Sequence, residues 1–272
     1  RSHARKRASW DATLDALVDK FATTIATHGP DSVGFYVSGQ LLTEDYYVFN
    51  KLAKGLIGTN NIDTNSRLCM SSAVAGYKAT LGADAPPACY DDLNHAELIV
   101  IAGSNAAWAH PILYRRLEDA KAKNPNLTVV CVDPRRTETA RAADLHLPIL
   151  PGTDVALFNA VLHWLTWEDA INAAYIDAHT EGFADLKSLV RECTPAWAAR
   201  ICGLNEAQIV ALAGLWKQSK ATLSLYCQGL NQSSSGTDKN AALINLHLAT
   251  GQIGKPGAGP FSLTGQPTAM GG

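Results

Sequence analysis

The chain has 272 residues, 47% of them hydrophobic and 18% charged, with 23 Lys plus Arg against 25 Asp plus Glu, a formal net charge of −2. This balance excludes a disordered chain and a general nucleic-acid binder, which carries a basic excess. No apolar run reaches the roughly 18 residues that a membrane span needs. The length fits one large domain or two modest ones, and folding at this size buries roughly three quarters of the unfolded surface without help from disulfides. Cysteines stand at 69, 89, 131, 193, 202 and 227 with no C-x-x-C among them. Zinc-ribbon and iron–sulfur spacings are therefore absent, and the low density reads as a reducing, cytoplasmic context. The opening RSHARKRASW is basic with no apolar stretch behind it, so it reads as a solvated linker or fragment edge, not a signal peptide.

Ser9 precedes Leu14, Leu17, Val18, Phe21 and Ile25 at helical spacing, and Gly29-Pro30 ends that helix. VGFYVSG (33–39) reads as a strand, followed by a helix over about 43–56. ELIVIAG (97–103) is a continuous apolar run, as a parallel strand covered on both faces requires. The loop SNAAWAH leads to a helix opened by Pro111, where proline is tolerated. LTVVCVD (127–133) is the next strand, PRRTETARAA a loop with a short helix, and LHLPIL (145–150) a further strand. PGTD then opens the helix VALFNAVLHWLTW. Asn205 caps a helix to about Lys217, TLSLYCQ (222–228) is a strand, GLNQSSSGTD a polar loop, and TDKNAALINLHLAT a helix closed by Gly251. The tail from Gly254, with six glycines, lacks periodicity and reads as a loop. Strands alternating with helices predict an α/β fold, a doubly wound, mostly parallel Rossmann-like sheet with helices on both faces.

In open α/β sheets, ligands lie beyond the carboxyl ends of the strands. The residues there are Gly39-Gln40, Gly103-Ser104-Asn105, Asp133 to Arg136, Gly152-Thr153-Asp154, and Gln228 to Gln232. Small residues allow close backbone approach, and amides and carboxylates give directional hydrogen bonds. Asp133 sits where Rossmann-like folds place an acid on a ribose hydroxyl. Asp154 either caps its helix and pairs with the dipole or accepts from a guanine edge. Arg135 and Arg136 either suit a pyrophosphate or are solvated surface charges. The motifs G-x-G-x-x-G, Walker A, G-x-S-x-G and H-E-x-x-H are all missing, which removes the dehydrogenase, P-loop, serine-hydrolase and zincin readings. Pattern alone stops at a nucleotide-binding α/β protein.

NNIDTNSRLCMSSAV (60–74) resembles the segment that supplies the metal-binding cysteine in molybdenum enzymes of the dimethyl sulfoxide reductase family, in particular its nitrate reductases. IAGSNAAWAHPILYRR, VDPRRTETA, LPGTDVAL and GLNQSSSGTDKNAALINLHLATGQIGKPGAGPFSLTGQPTAMGG follow in the family's order, and the closing FSLTGQP…AMGG favours the assimilatory type. The resemblance implies that Cys69, otherwise read as an inert core residue, is the thiolate ligand of molybdenum, a soft donor on a metal that cycles by two electrons. Met70 would lie beside the metal; its plain alternative is core packing. The implied cofactor is molybdenum bis(molybdopterin guanine dinucleotide). Its implied contacts are Gln40, Asn65, Gly103, Ser104, Asn105, Asp133, Arg135, Gly152, Thr153, Asp154, Gln228 and Gln232.

The resemblance covers about the middle third of such an enzyme. Its [4Fe–4S] cluster has no ligands in this chain, and the chain stops at Gly272, before an arginine expected near the substrate. Expected divisions are residues 1–65 as part of a discontinuous α/β domain, 66–262 as the Rossmann-like cofactor domain, and 263–272 as the start of a return segment. The implied activity of the intact enzyme is two-electron reduction of nitrate to nitrite by oxygen-atom transfer to molybdenum. The 272 residues alone are expected to be inactive. Expected partners are nitrate and an electron donor, either ferredoxin, flavodoxin or an NADH-linked subunit, with no nucleic acid and no membrane span. The rivals are another molybdenum or tungsten bis-pterin enzyme, such as a formate dehydrogenase, and a non-catalytic α/β structural subunit.

Overall fold

The computed structural model describes residues 7–264. They form two compact units, one running to Leu68 and the other starting at Cys69. No helix among the described residues is long and apolar enough to cross a membrane.

In the first unit, helix Trp10–His28 starts at Ser9, whose hydroxyl accepts from the Ala12 amide at 3.2 Å. Strand β1 (Phe35–Val37) pairs in parallel with β2 (Ile62–Thr64). Helix Thr43–Asn50 and its π-helical continuation Lys51–Ile57 make the crossover between them. Phe35 packs between Phe21 and Phe49, tilted to the first and edge-on to the second, with ring centroids at 5.9 and 6.0 Å. Strand β2 carries no signal of its own: three half-exposed residues, Ile-Asp-Thr, are too few for a period.

The second unit holds five strands: β3 (Leu98–Ala102), β4 (Thr128–Val132), β5 (Leu145–Leu147), β6 (Thr222–Tyr226) and β7 (Gly259–Ser262). All neighbours are parallel, in the order β5-β4-β3-β6-β7. Every residue of β3 and β6 is buried. Along β3 the faces alternate: Leu98, Val100 and Ala102 join one core, Ile99 and Ile101 the other. The first core is closed by helices Ser71–Leu81, Asp154–Trp167, Glu206–Gln218 and Gly236–Ala249, the second by Pro111–Lys123. Each fully buried Leu or Ile contributes about 1.5–3 kcal/mol relative to exposure, which explains the continuous apolar runs. The doubly wound expectation holds.

Four local readings are corrected. SNAAWAH contains a helical turn, Ala106–Ala109, and the polar loop after β6 begins with another, Gln228–Asn231. The third sheet strand ends at Leu147, because Ile149 turns back to bond the Leu147 carbonyl. The glycine-rich tail contains β7: Pro260 is tolerated because this is an edge strand. The segment between the two long helices, given no assignment from sequence, holds Ala173–His179, Phe183–Leu189 and Pro195–Cys202. The expected return segment past Thr264 lies outside the described residues.

Candidate cofactor site

The chain leaves β3 toward β4 with its helix on one face of the sheet, and leaves β6 toward β7 with its helix on the other. This is the topological switch point, where the two loops part and open a crevice. Their backbones touch at its base. A Cβ added to Gly103 would lie 2.8 Å from the Gly229 Cα, and one added to Gly229 would lie 2.5 Å from the Gly103 Cα. The Gly229 amide donates to the Gly103 carbonyl at 2.9 Å. Only paired glycines permit this approach, and Gly103 also has φ +57°, a left-handed conformation.

Cys69 closes the short helix Ser66–Cys69 and is a free, half-buried thiol. The helix after it, Ser71–Leu81, is docked without slack on Gly236–Ala249: a Cβ on Gly76 would lie 2.6 Å from the Asn240 Cβ, and one on Gly236 2.5 Å from the Ser72 hydroxyl. That docking holds Cys69 beside the β6 turn. The helical turn there puts Gln228 and Gln232 on one face. Gln228 Nε2 donates to Cys69 Sγ at 2.7 Å, and Gln232 Nε2 lies 3.8 Å from the same sulfur. Cys227 donates to Gln228 Oε1 at 3.1 Å; burial pushes its thiol up to about 11, so it stays a protonated donor. Half-buried Met70 packs on the larger core, and its sulfur lies 3.8 Å from Asn231 Nδ2. Asn231 also donates to the Ser262 hydroxyl and accepts from Asn240 Nδ2.

Beyond β3, the Ser104 hydroxyl is buried without a partner among the described residues. Asn105 is partly committed: its amide oxygen accepts from the Thr139 hydroxyl at 2.9 Å. Beyond β4, buried Asp133 accepts from the Arg135 amide at 2.8 Å, while the Arg135 and Arg136 side chains are exposed. Beyond β5, Gly152 has φ +89°, and Thr153 precedes the helix without capping it, donating instead to the Leu150 carbonyl. Asp154 is the first helical residue rather than the cap. Its carboxylate takes Lys239 Nζ at 2.7 Å, and both side chains are at least nine-tenths buried. The pairing of Asp154 with Lys239, and the role of Asn240, are not legible in the sequence: a Lys and an Asn on the helix Gly236–Ala249 look like its solvated side. Gln40 and Asn65 lie in the first unit, just past β1 and β2, and Asn65 Oδ1 accepts from the Gly39 amide at 2.7 Å.

These residues fit a polar cofactor that brings its own metal ligands. Cys69 is a single soft donor, and no group of three or more His, Cys, Asp or Glu among the described residues could cage a metal ion. The remaining ligands would come from an organic group, and the orphan Ser104 hydroxyl sits where such a group is reached.

The family model "Molybdopterin oxidoreductase" matches residues 5–271. The chain belongs to the molybdopterin oxidoreductase family. This molybdopterin oxidoreductase chain is 48% identical to a nitrate reductase of Synechocystis sp. over 98% of its length, covering 37% of that protein. It is 50% identical to a nitrate reductase of Klebsiella oxytoca over 98% of its length, covering 30% of that protein. The alpha subunit of an F420-dependent formate dehydrogenase from Methanococcus maripaludis is 37% identical over 97% of this chain, with 38% of the subunit covered. Among solved structures, acetylene hydratase from Pelobacter acetylenicus shares the fold, with a TM-score of 0.68 at 24% identity, covering 93% of this chain and 34% of that one. The molybdopterin oxidoreductase chain thus spans about a third of the length of the relatives it matches. Membership in the family implies a molybdenum–pterin cofactor.

Proposed function

We propose that the chain is part of a nitrate reductase whose molybdenum is carried as bis(molybdopterin guanine dinucleotide). The observation that carries this is the Cys69 sulfur at the switch-point crevice with the Gln228 amide directed at it. The identity of about half to proteins named nitrate reductase, against 37% to a formate dehydrogenase subunit, supports nitrate as the substrate. The bound molybdenum–pterin group would supply two-electron redox chemistry, so that nitrate, two protons and two electrons give nitrite and water. The protein's own contribution is to ligate through Cys69, to orient that sulfur with Gln228 and Gln232, and to line the arms of the cofactor. Gly103, Ser104, Asn105, Asp133 and Arg135 line one stretch, and Gly152, Thr153 and Asp154 another; Met70 packs beside Cys69. Gln40 and Asn65, which the resemblance also implies as cofactor contacts, belong to the first unit. A [4Fe–4S] cluster elsewhere in the intact protein would feed electrons from ferredoxin, flavodoxin or an NADH-linked subunit. The six free cysteines fit a reducing cytoplasm.

The deciding experiment uses the full-length protein with reduced viologen, offering nitrate and formate separately, alongside molybdenum and pterin analysis. Nitrite formation with bound molybdenum is expected. Formate oxidation without nitrate reduction would overturn the substrate, and a preparation without molybdenum, tungsten or pterin would favour a structural module.

A further inference from the structure

The buried ion pair between Asp154 and Lys239 joins three elements of the second unit. Asp154 opens helix Asp154–Trp167, directly after the Gly152-Thr153 turn. Lys239 belongs to the first turn of helix Gly236–Ala249, and its ammonium also lies 3.5 Å from the Gly229 carbonyl. Gly229 follows Gln228, whose amide meets the Cys69 sulfur. One buried cation therefore ties the turn after β5 to the turn after β6. Burying two charges is costly, and a helix-to-helix contact of this kind needs no charge to pack. The pair has to be explained by what it holds in place.

We propose that Lys239 is a positioning residue for the nucleotide end of the cofactor: its ammonium fixes the Asp154 carboxylate at the mouth of the β5 turn, so that Asp154 can accept from the N–H edge of guanine. This rests on the reading of Asp154 as a guanine contact. Lys239 occupies Oδ2, and Oδ1 is the atom this leaves to the base. A carboxylate bound by a fixed cation has one orientation, and orientation decides whether directional N–H donors are met. Shape and charge make opposite demands here. Lys239→Met keeps the volume and loses the charge, whereas Lys239→Arg keeps the charge and alters the shape.

The test measures guanosine monophosphate released by acid hydrolysis per mole of purified full-length protein, together with thermal unfolding. Parent protein releases the nucleotide. Lys239→Met loses about tenfold or more, the scale of one charge-assisted contact, and Lys239→Arg restores most of it. The double variant Asp154→Asn/Lys239→Met regains the melting temperature that Lys239→Met loses, because no charge is left unpaired, yet it stays low in guanine. Parent-level guanine in Lys239→Met or in the double variant, or Lys239→Arg no better than Lys239→Met, overturns the positioning role. A parent protein that releases no guanosine nucleotide overturns the proposal as well, and does so by removing the cofactor reading beneath it.

Discussion

At the residue scale, Cys69 makes the sharpest test. It is half-buried and small, so Cys69→Ala should change stability by no more than about 1 kcal/mol. Nitrate reduction by the full-length protein should nevertheless be abolished, and the folded variant should be distinguishable from parent by activity and not by melting temperature. Turnover near the parent value would remove Cys69 from the metal site. Asp154 behaves differently. If Asp154 were a simple cap, Asn would replace it at almost no cost, since Asn caps about as well as Asp. The buried Lys239 partner reverses that expectation. Asp154→Asn leaves an ammonium without its counter-charge, and the loss should be about 3–5 kcal/mol by denaturant unfolding. An unchanged midpoint would show that the pair is not buried as described. SRLCMSS made Cys69 legible through resemblance alone. Nothing in the chain made Lys239 legible, because its partner is 85 positions away in a different helix.

At the scale of elements, the crevice depends on two turns that approach backbone to backbone. Gly103→Ala and Gly152→Ala both place a side chain at positive φ, a conformation that costs non-glycine residues about 1–2 kcal/mol. The Gly152 position has open space around it, whereas a methyl at Gly103 meets the Gly229 backbone. Gly103→Ala should therefore lose a further 1–3 kcal/mol or so from overpacking. Chemical denaturation of the two variants checks the ranking, and equal losses would mean that the two turns are not in contact. The long apolar strands and the capped helices were readable because each carries its own period and its own punctuation. The short elements were not. Strand β2, the turn Gln228–Asn231 and the glycine-rich strand β7 are each three or four residues long. The two strands form because a neighbour supplies the hydrogen bonds: β7 is held by the ladder to β6, where the Leu263 amide also donates to the Tyr226 carbonyl.

For the molecule as a whole, buried titratable groups set the pH range of stability. His247 is wholly buried, with a ring nitrogen 2.8 Å from the Ser224 hydroxyl and its ring edge-on to Trp216. Burial pushes it down to about 3 from an ordinary 6.5. The unfolded chain binds this proton first, so stability falls as pH drops below about 6.5, by about 1.4 kcal/mol per pH unit for this one group until pH approaches 3. On the alkaline side, burial raises Tyr77 to about 12, so the unfolded chain loses that proton first, and stability falls as pH rises above about 10. Melting temperature against pH should show a plateau between these limbs. His247→Gln, if it folds, should shrink the acid limb; an unchanged limb would place the loss on other groups.

The fold class, the strands β3, β4 and β6 and, through resemblance, the family and the cysteine at its centre were legible along the chain. These rest on local signals: apolar runs, caps, and motifs of a few residues. What meets at the crevice is a tertiary outcome: the Gly103–Gly229 contact, the Gln228 amide on Cys69 and the Asp154–Lys239 pair; away from the crevice, so is the neutral core histidine. Each of these joins residues distant in the chain, and such a contact exists only once the sheet order has brought its two sides together. The sheet order is set by packing on both faces at once, which no local pattern encodes.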